Sequence, residues 1–243
     1  LRARGCLENT IVVYTADHGC HFKTRNREYK RSCHDVSIKV PMVIAGPGFD
    51  RHQVVPEPVG LIDLCPTLLD ACGVDAGDQI QGRSFLPLVT RDSATVDGWP
   101  DDVLVQISES GVARALRTTR WTYSVLAPDL AGSGVSGASE YVETHLYDNF
   151  SDPYQHVNLV GRQGYDDVRQ QLRARLVERM VAAGEVDFLV AERVWREFAR
   201  GLGEAHPGAM LDVLEGCGAL GKIAPELQAL LDSTLRPLIH AAL

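Results

Sequence analysis

Four side chains between Asp17 and His34 are of types that act on an anionic ester. Asp17 and His18 are adjacent and follow an apolar run, Thr10 to Ala16. A carboxylate and an imidazole side by side, freed from strand alternation by Gly19, can ligate one divalent cation. Two ligands are few. Calcium takes about six to eight oxygens and zinc about four ligands, so a cation here would draw the rest from elsewhere. Lys30 and His34 are four residues apart. On a helix they would share a face, and in a loop they can converge. Lys offers a point charge to an anionic ester, and His can give a proton to a leaving oxygen. Each feature also has a plain reading. Asp-His-Gly is a common turn sequence, and Lys23, Arg25, Arg27, Lys30 and Arg31 read as a solvated basic loop.

The elements that must position these groups are partly legible. Thr10 to Tyr14 is β-branched and apolar throughout, as in a strand buried on both faces of a parallel sheet. Pro41 to Ala45 reads the same way and ends at Gly46-Pro47-Gly48. Leu61 to Cys72 predicts a helix or two half-helices, stopped by Gly73. Gln79 to Leu88 predicts a loop with an apolar anchor, and Arg91 to Asp102 a linker. Val103 to Ser108, Val112 to Thr118, Trp121 to Leu126 and His145 to Asp148 predict a small antiparallel sheet. Ala127 to Ser139 is rich in Gly and Ser and predicts a loop. Val168, Leu172, Leu176 and Met180 recur every four residues, so Tyr165 to Ala183 predicts an amphipathic helix over that sheet. Three helical pieces follow, at Phe188 to Arg200, Ala209 to Leu214 and Pro225 to Leu235.

Composition excludes some classes. A formal net charge of -8 over 243 residues argues against a general nucleic-acid binder. No apolar run reaches the length of a bilayer span. The six cysteines show neither zinc spacing nor a dense disulfide pattern, which leans towards a reducing, cytoplasmic compartment. A targeting segment upstream of Leu1 would change that expectation.

Motifs in a fixed order tie these pieces together: Asn9 to Gly19; Lys30 with His34-Asp35; Ile38 to Ile44 and Gly46-Pro47-Gly48; Asp63 to Leu69 with Gly73; Gly82 to Leu88; Ala115 to Thr118 with Trp121-Thr122-Tyr123; and Leu146-Tyr147-Asp148 with Asp152-Pro153 and Asn158-Leu159. In this order, over roughly residues 5 to 183, the chain resembles the C-terminal part of the sulfatase family, within the alkaline phosphatase superfamily. The resemblance implies an α/β fold. Residues 1–98 would be the C-terminal part of an alkaline-phosphatase-like parallel-sheet domain, and 99–184 a small α+β subdomain with a four-stranded antiparallel sheet packed by a helix. Residues 185–243 would be a helical tail.

The resemblance also implies roles. Asp17 and His18 look like ligands of one divalent cation, calcium first and manganese as the alternative, since an imidazole suits transition metals. Many sulfatases have Asn where His18 stands. Lys30 matches the lysine that contacts the sulfate group and is both a catalytic and a substrate-binding candidate. His34, where the family more often has an aromatic residue, is the second catalytic candidate. His21 is a second candidate for substrate contact. The implied substrate is a small-molecule or saccharide sulfate ester, with no nucleic acid and no membrane span; a homo-oligomer stays open.

One departure defines the expectation. Sulfatases oxidise a Cys or Ser, in a Cys/Ser-x-Pro/Ala-x-Arg context, to formylglycine. Cys33 precedes His34-Asp35-Val36-Ser37 and Cys65 precedes Pro66-Thr67-Leu68-Leu69, and neither fits. The chain is therefore expected to be a C-terminal fragment, inactive alone, with formylglycine upstream of it. A phosphodiester or phosphonate monoester hydrolase of the same superfamily is the alternative, because both esters are tetrahedral anions. A third reading is an inactive remnant.

Overall fold

The computed structural model describes residues 1–49, 52–90, 96, 98–109, 111–128, 130, 137, 138 and 140–184. The helices expected beyond residue 184 lie outside the described residues, as does much of the stretch 91–97 and 129–139. The chain divides into two units, one of Leu1–Ser136 with Val142–Leu176, the other of Gly137–Tyr141 with Val177–Leu243. In the second, the described residues are the end of one helix and a few before it. All that follows concerns the first unit unless stated.

Two strands carry the N-terminal part: β1 (Val12–Thr15) and β2 (Met42–Ala45). They pair antiparallel, Val12 opposite Ala45 and Thr15 opposite Met42, whereas their composition suggested neighbours in a parallel sheet. The reason lies in the connection. Parallel neighbours need a crossover, usually a full helix. The only α-helix between them is the one-turn α1 (Asp35–Ile38). No residue of either strand is buried; Tyr14 is 68% and Val43 62% exposed. Next come a 3-10 turn (Leu61–Asp63), α2 (Leu64–Ala71) and α3 (Leu86–Thr90). The segment expected as a loop with an apolar anchor thus ends in a helix. Pro87 sits in its first turn, where a missing N–H costs nothing.

The second part is a meander, β3 (Asp102–Ser108), β4 (Val112–Thr118), β5 (Trp121–Ala127) and β6 (Val142–Asp148), each pair antiparallel. Strand alternation assigns its two faces. Leu104, Leu116, Tyr123 and Leu146 line up across the register, and the last three are fully buried. Burying such side chains stabilises by about 1.5–3 kcal/mol each. Helix α4 (Asp166–Ala182) belongs to this face. Its Leu172 and Leu176 are buried, Trp121 and Tyr165 meet edge to face at 6.4 Å, and Arg169 pairs with Glu143 at 2.5 Å. Arg175 pairs with Asp101 and Asp102 at the start of β3. Asp166 and Asp167 favour the positive end of the helix. The helix expected at Tyr165 to Ala183 is therefore found, with Leu172 and Leu176 of its stripe buried.

The opposite face carries Arg117, Thr122 and Tyr147 in one row and Ala115, Ser124 and His145 in the next. This polar face receives the segment that leads from the candidate residues into α1.

Among the described residues no helix is long and apolar enough to cross a membrane.

Candidate functional site

Asp17 and His18 follow β1 directly. Gly19 lets the turn approach α1: its N–H donates to the Ser37 carbonyl at 2.7 Å. A Cβ at residue 19 would lie 2.1 Å from the Val36 carbonyl oxygen, a contact no side chain tolerates. The turn is thereby pinned against the segment that follows Lys30 and His34.

The His18 ring has a defined orientation. Its Nδ1 lies 2.8 Å from the Gly19 carbonyl. A carbonyl only accepts, so Nδ1 carries a proton, and in the neutral ring Nε2 keeps its lone pair. That lone pair faces the Lys30 ammonium at 3.1 Å, and Asp17 Oδ2 lies 3.2 Å from the same nitrogen. Asp17 Oδ1 accepts the His18 backbone N–H at 2.9 Å. Asp17, His18 and Lys30 are therefore brought together, with the carboxylate open to solvent and Lys30 half-buried.

Beside Lys30, Arg31 reaches the turn between β3 and β4. Its guanidinium donates to Glu109 at 2.7 Å and to Glu28 at 2.8 Å. The Arg31 hydrogen bond holds the Glu109 carboxyl below the usual range, and the charges of Arg31 and Lys30 act in the same direction.

His34 belongs to a different cluster. It is buried, with Nε2 3.1 Å from the Tyr147 hydroxyl and its ring edge-on to His145 at 4.8 Å. Burial, then the neighbouring His145, Arg25 and His21, lowers its pKa to about 4, so the ring is neutral at pH 7. His145 is lowered too, chiefly by burial, and its Nδ1 meets the Ser124 hydroxyl at 3.0 Å. His34 Nδ1 and both ring nitrogens of His21 are buried with no hydrogen-bond partner among the described residues. His21 is held by its backbone, N–H to the Tyr29 carbonyl at 2.7 Å. A cavity of about 430 Å³ lies between this segment and the sheet, lined among others by Arg25, Arg31, His34, Ser124, Thr144 and His145.

The site thus gathers Asp17, His18 and Lys30 but sets His34 with sheet residues. Sequence reasoning missed His145, Tyr147, Arg25 and Glu109. The alternation of β6 carried a usable signal, since His145 and Tyr147 are two apart and so share a face.

Asp17 Oδ2 and His18 Nε2 suit a divalent cation. The Nδ1–H bond to a backbone carbonyl is the outer contact that orients a metal-ligating imidazole. The fit is partial, because no group of three or more His, Cys, Asp or Glu among the described residues could hold a metal ion. A cation here would find these two candidate ligands and would need others from elsewhere.

Residues 27–182 match the family described as N-sulphoglucosamine sulphohydrolase, C-terminal. Arylsulfatase K of Canis lupus familiaris is 32% identical over 166 residues, 65% of this chain and 29% of that protein. The multifunctional CCA protein of Cupriavidus taiwanensis is 62% identical over 56 residues, 23% of this chain and 14% of that protein. Two solved structures share the fold. One, solved with its substrate D-glucosamine-2-N,6-O-disulfate, superposes with a TM-score of 0.61 at 24% identity, over 77% of this chain and 37% of the other. The other is a phosphonate monoester hydrolase from Silicibacter pomeroyi, with a TM-score of 0.60 at 22% identity, over 74% and 36%.

Proposed function

This chain belongs to the sulfatase family, whose C-terminal region it carries, and from that premise we propose that the protein hydrolyses sulfuric esters. The chain spans about a third or less of the curated relatives it matches. The activity proposed is therefore that of a whole protein, and this chain contributes part of its site. The observation that carries the reading is the convergence of Asp17 Oδ2 and Lys30 Nζ on His18 Nε2, at 3.2 and 3.1 Å.

In this reading Asp17 and His18 are two ligands of one divalent cation, calcium first and manganese as the alternative. A cation bound there would draw electron density from the ester oxygens. Lys30 is the fixed positive charge that receives the sulfate group as negative charge builds on it. Its ammonium now rests on the His18 lone pair, and a cation taking that lone pair would release it towards substrate. His34, neutral at pH 7 and held by Tyr147, is the second catalytic candidate, as a hydrogen-bonding partner at the site rather than an imidazolium acid. His21, buried with ring nitrogens that have no partner among the described residues, is the candidate for a further substrate contact. The formylglycine nucleophile is expected outside this chain.

The proposed substrate is a small-molecule or saccharide sulfate ester. A sulfated amino sugar is the substrate of one solved relative of this fold. The five described cysteines are all free, which supports a reducing, cytoplasmic setting. The superposition on a phosphonate monoester hydrolase favours one second reading, the same half-site acting on a phosphonate or phosphodiester.

The test is a titration of the chain, followed by NMR, with calcium, manganese and inorganic sulfate. Cation binding in about the millimolar range is expected at Asp17 and His18, as suits an incomplete ligand set. Asp17→Asn should abolish it. Lys30→Ala should weaken sulfate binding about tenfold. No turnover of an aryl sulfate is expected from the chain alone. Cation and sulfate shifts that bypass Asp17, His18 and Lys30 would sink the reading. In a protein that includes the N-terminal part, preferred turnover of an aryl phosphonate over an aryl sulfate would establish the alternative.

A further inference from the structure

The loop after β6 contains a residue with an unusual burden. Gln155 is 1% exposed, yet it is polar and its backbone is left-handed, with φ 55°. That conformation is costly for a side chain of this length, of order 1 kcal/mol or more, and it persists only where the surroundings impose it. Here they do. The Arg25 guanidinium donates to the Gln155 carbonyl at 2.6 Å and also to the Tyr154 carbonyl. The Gln155 N–H donates to the Asp152 carbonyl at 3.0 Å.

The side chain is just as fully used. Its Oε1 accepts the Asp35 N–H at 2.8 Å. The two N–H groups of its Nε2 face three acceptors, Asp35 Oδ1 at 3.1 Å, Thr122 Oγ1 at 2.9 Å and Asn149 Oδ1 at 2.8 Å. Asp35 is gripped from its other side by Arg117 of β4, with two bonds of 2.8 Å. One amide therefore joins β5, the loop after β6 and the first residue of α1. That first residue is the immediate neighbour of His34, whose ring touches the same sheet face through Tyr147 and His145. Buried polar networks of this kind hold a single geometry only while every member is satisfied.

We propose that Gln155 is a positioning residue: its amide locks the Asp35 end of the segment bearing Lys30 and His34 onto the antiparallel sheet, so that the C-terminal subdomain sets the geometry of the half-site. That the positioned segment faces substrate rests on the sulfatase reading. The positioning itself is measurable without substrate.

The test substitutes the arm and spares the backbone. Gln155→Asn keeps an amide and suits a left-handed φ better than Gln does, but it is one methylene too short to span to Asp35. Two NMR readouts on the full chain are followed: the pH midpoint of the His34 ring, and hydrogen exchange at the Asp35 amide. His34 is surrounded by His145, Tyr147, Arg25, His21 and Asp35, and loosening the segment admits water to it. In Gln155→Asn the His34 midpoint should rise by about one unit towards its ordinary value. The Asp35 amide should exchange about tenfold faster than in the native chain. Leu172→Ala, which removes packing from α4 on the other sheet face, is the control. It should lower thermal stability and leave the His34 midpoint in place.

The proposal is overturned if Gln155→Asn leaves both readouts at their native values, or if Leu172→Ala shifts them equally. Should Gln155→Asn not fold, the native chain decides. The Asp35 amide must then exchange as slowly as that of Leu116 in β4, and exchange at the rate of an open loop overturns the proposal. Failure of the native chain to bind cation or sulfate would sink the functional reading and leave these readouts intact.

Discussion

At the residue scale, His18 and His34 show how one residue type serves two ends. His18 is partly open, its tautomer set by one backbone carbonyl, and its free lone pair is aimed at the Lys30 charge. His34 is closed in by the sheet and kept neutral. That neutrality has a consequence for stability. The folded pKa of His34, about 4, lies below the ordinary 6.5. Between those values the unfolded chain binds more protons, so stability falls as pH drops through this window and is fully retained above it. The cost at the acid end is about 3 kcal/mol. His145 is shifted in the same direction and adds to it. Urea unfolding at pH 7.5, 6 and 5 should show a steady fall, and His34→Gln should flatten it. A native chain equally stable at pH 7.5 and pH 5 would contradict the burial of a neutral ring. Carboxylates such as Asp148, held low by its Arg120 hydrogen bonds, contribute their own loss only at more acid pH.

At the element scale, the two faces of the meander divide the work. The apolar face takes α4, and the polar face takes the segment from Arg25 to α1. The ribbon β1–β2 stands apart from both, with Val12, Tyr14 and Val43 exposed. Tyr14 and Val43 are direct cross-strand partners, so one apolar patch spans both strands. Such a surface templates association. A Tyr14→Lys, Val43→Thr variant should aggregate more slowly on warming, as read by light scattering. Its unfolding free energy should stay within about 0.5 kcal/mol of the native chain per substitution, as for surface changes generally. An unchanged aggregation rate would mean that this ribbon is not the associating surface.

At the scale of the whole molecule, the sulfatase match ends at residue 182, close to where the ordered sequence motifs give out. The candidate residues all lie within or before the matched span, so a chain ending at Gly184 should bind cation and sulfate as the full chain does. A loss of either on removal of the tail would tie it to the site.

How much of all this was legible beforehand follows from the range of the physics. The four strands of the meander and the helix α4 could be read because periods of 2 and 3.6 are local properties of a sequence. The order of motifs around Asp17, His18, Lys30 and Gly19 likewise placed the chain in its family. Three matters could not be read in that way: the antiparallel pairing of β1 with β2, the contact of Lys30 with His18, and the capture of His34 by Tyr147, 113 positions away. Each depends on strand register and on which face meets which segment. Those are settled only when distant parts of the chain pack together and every buried polar group must find a partner.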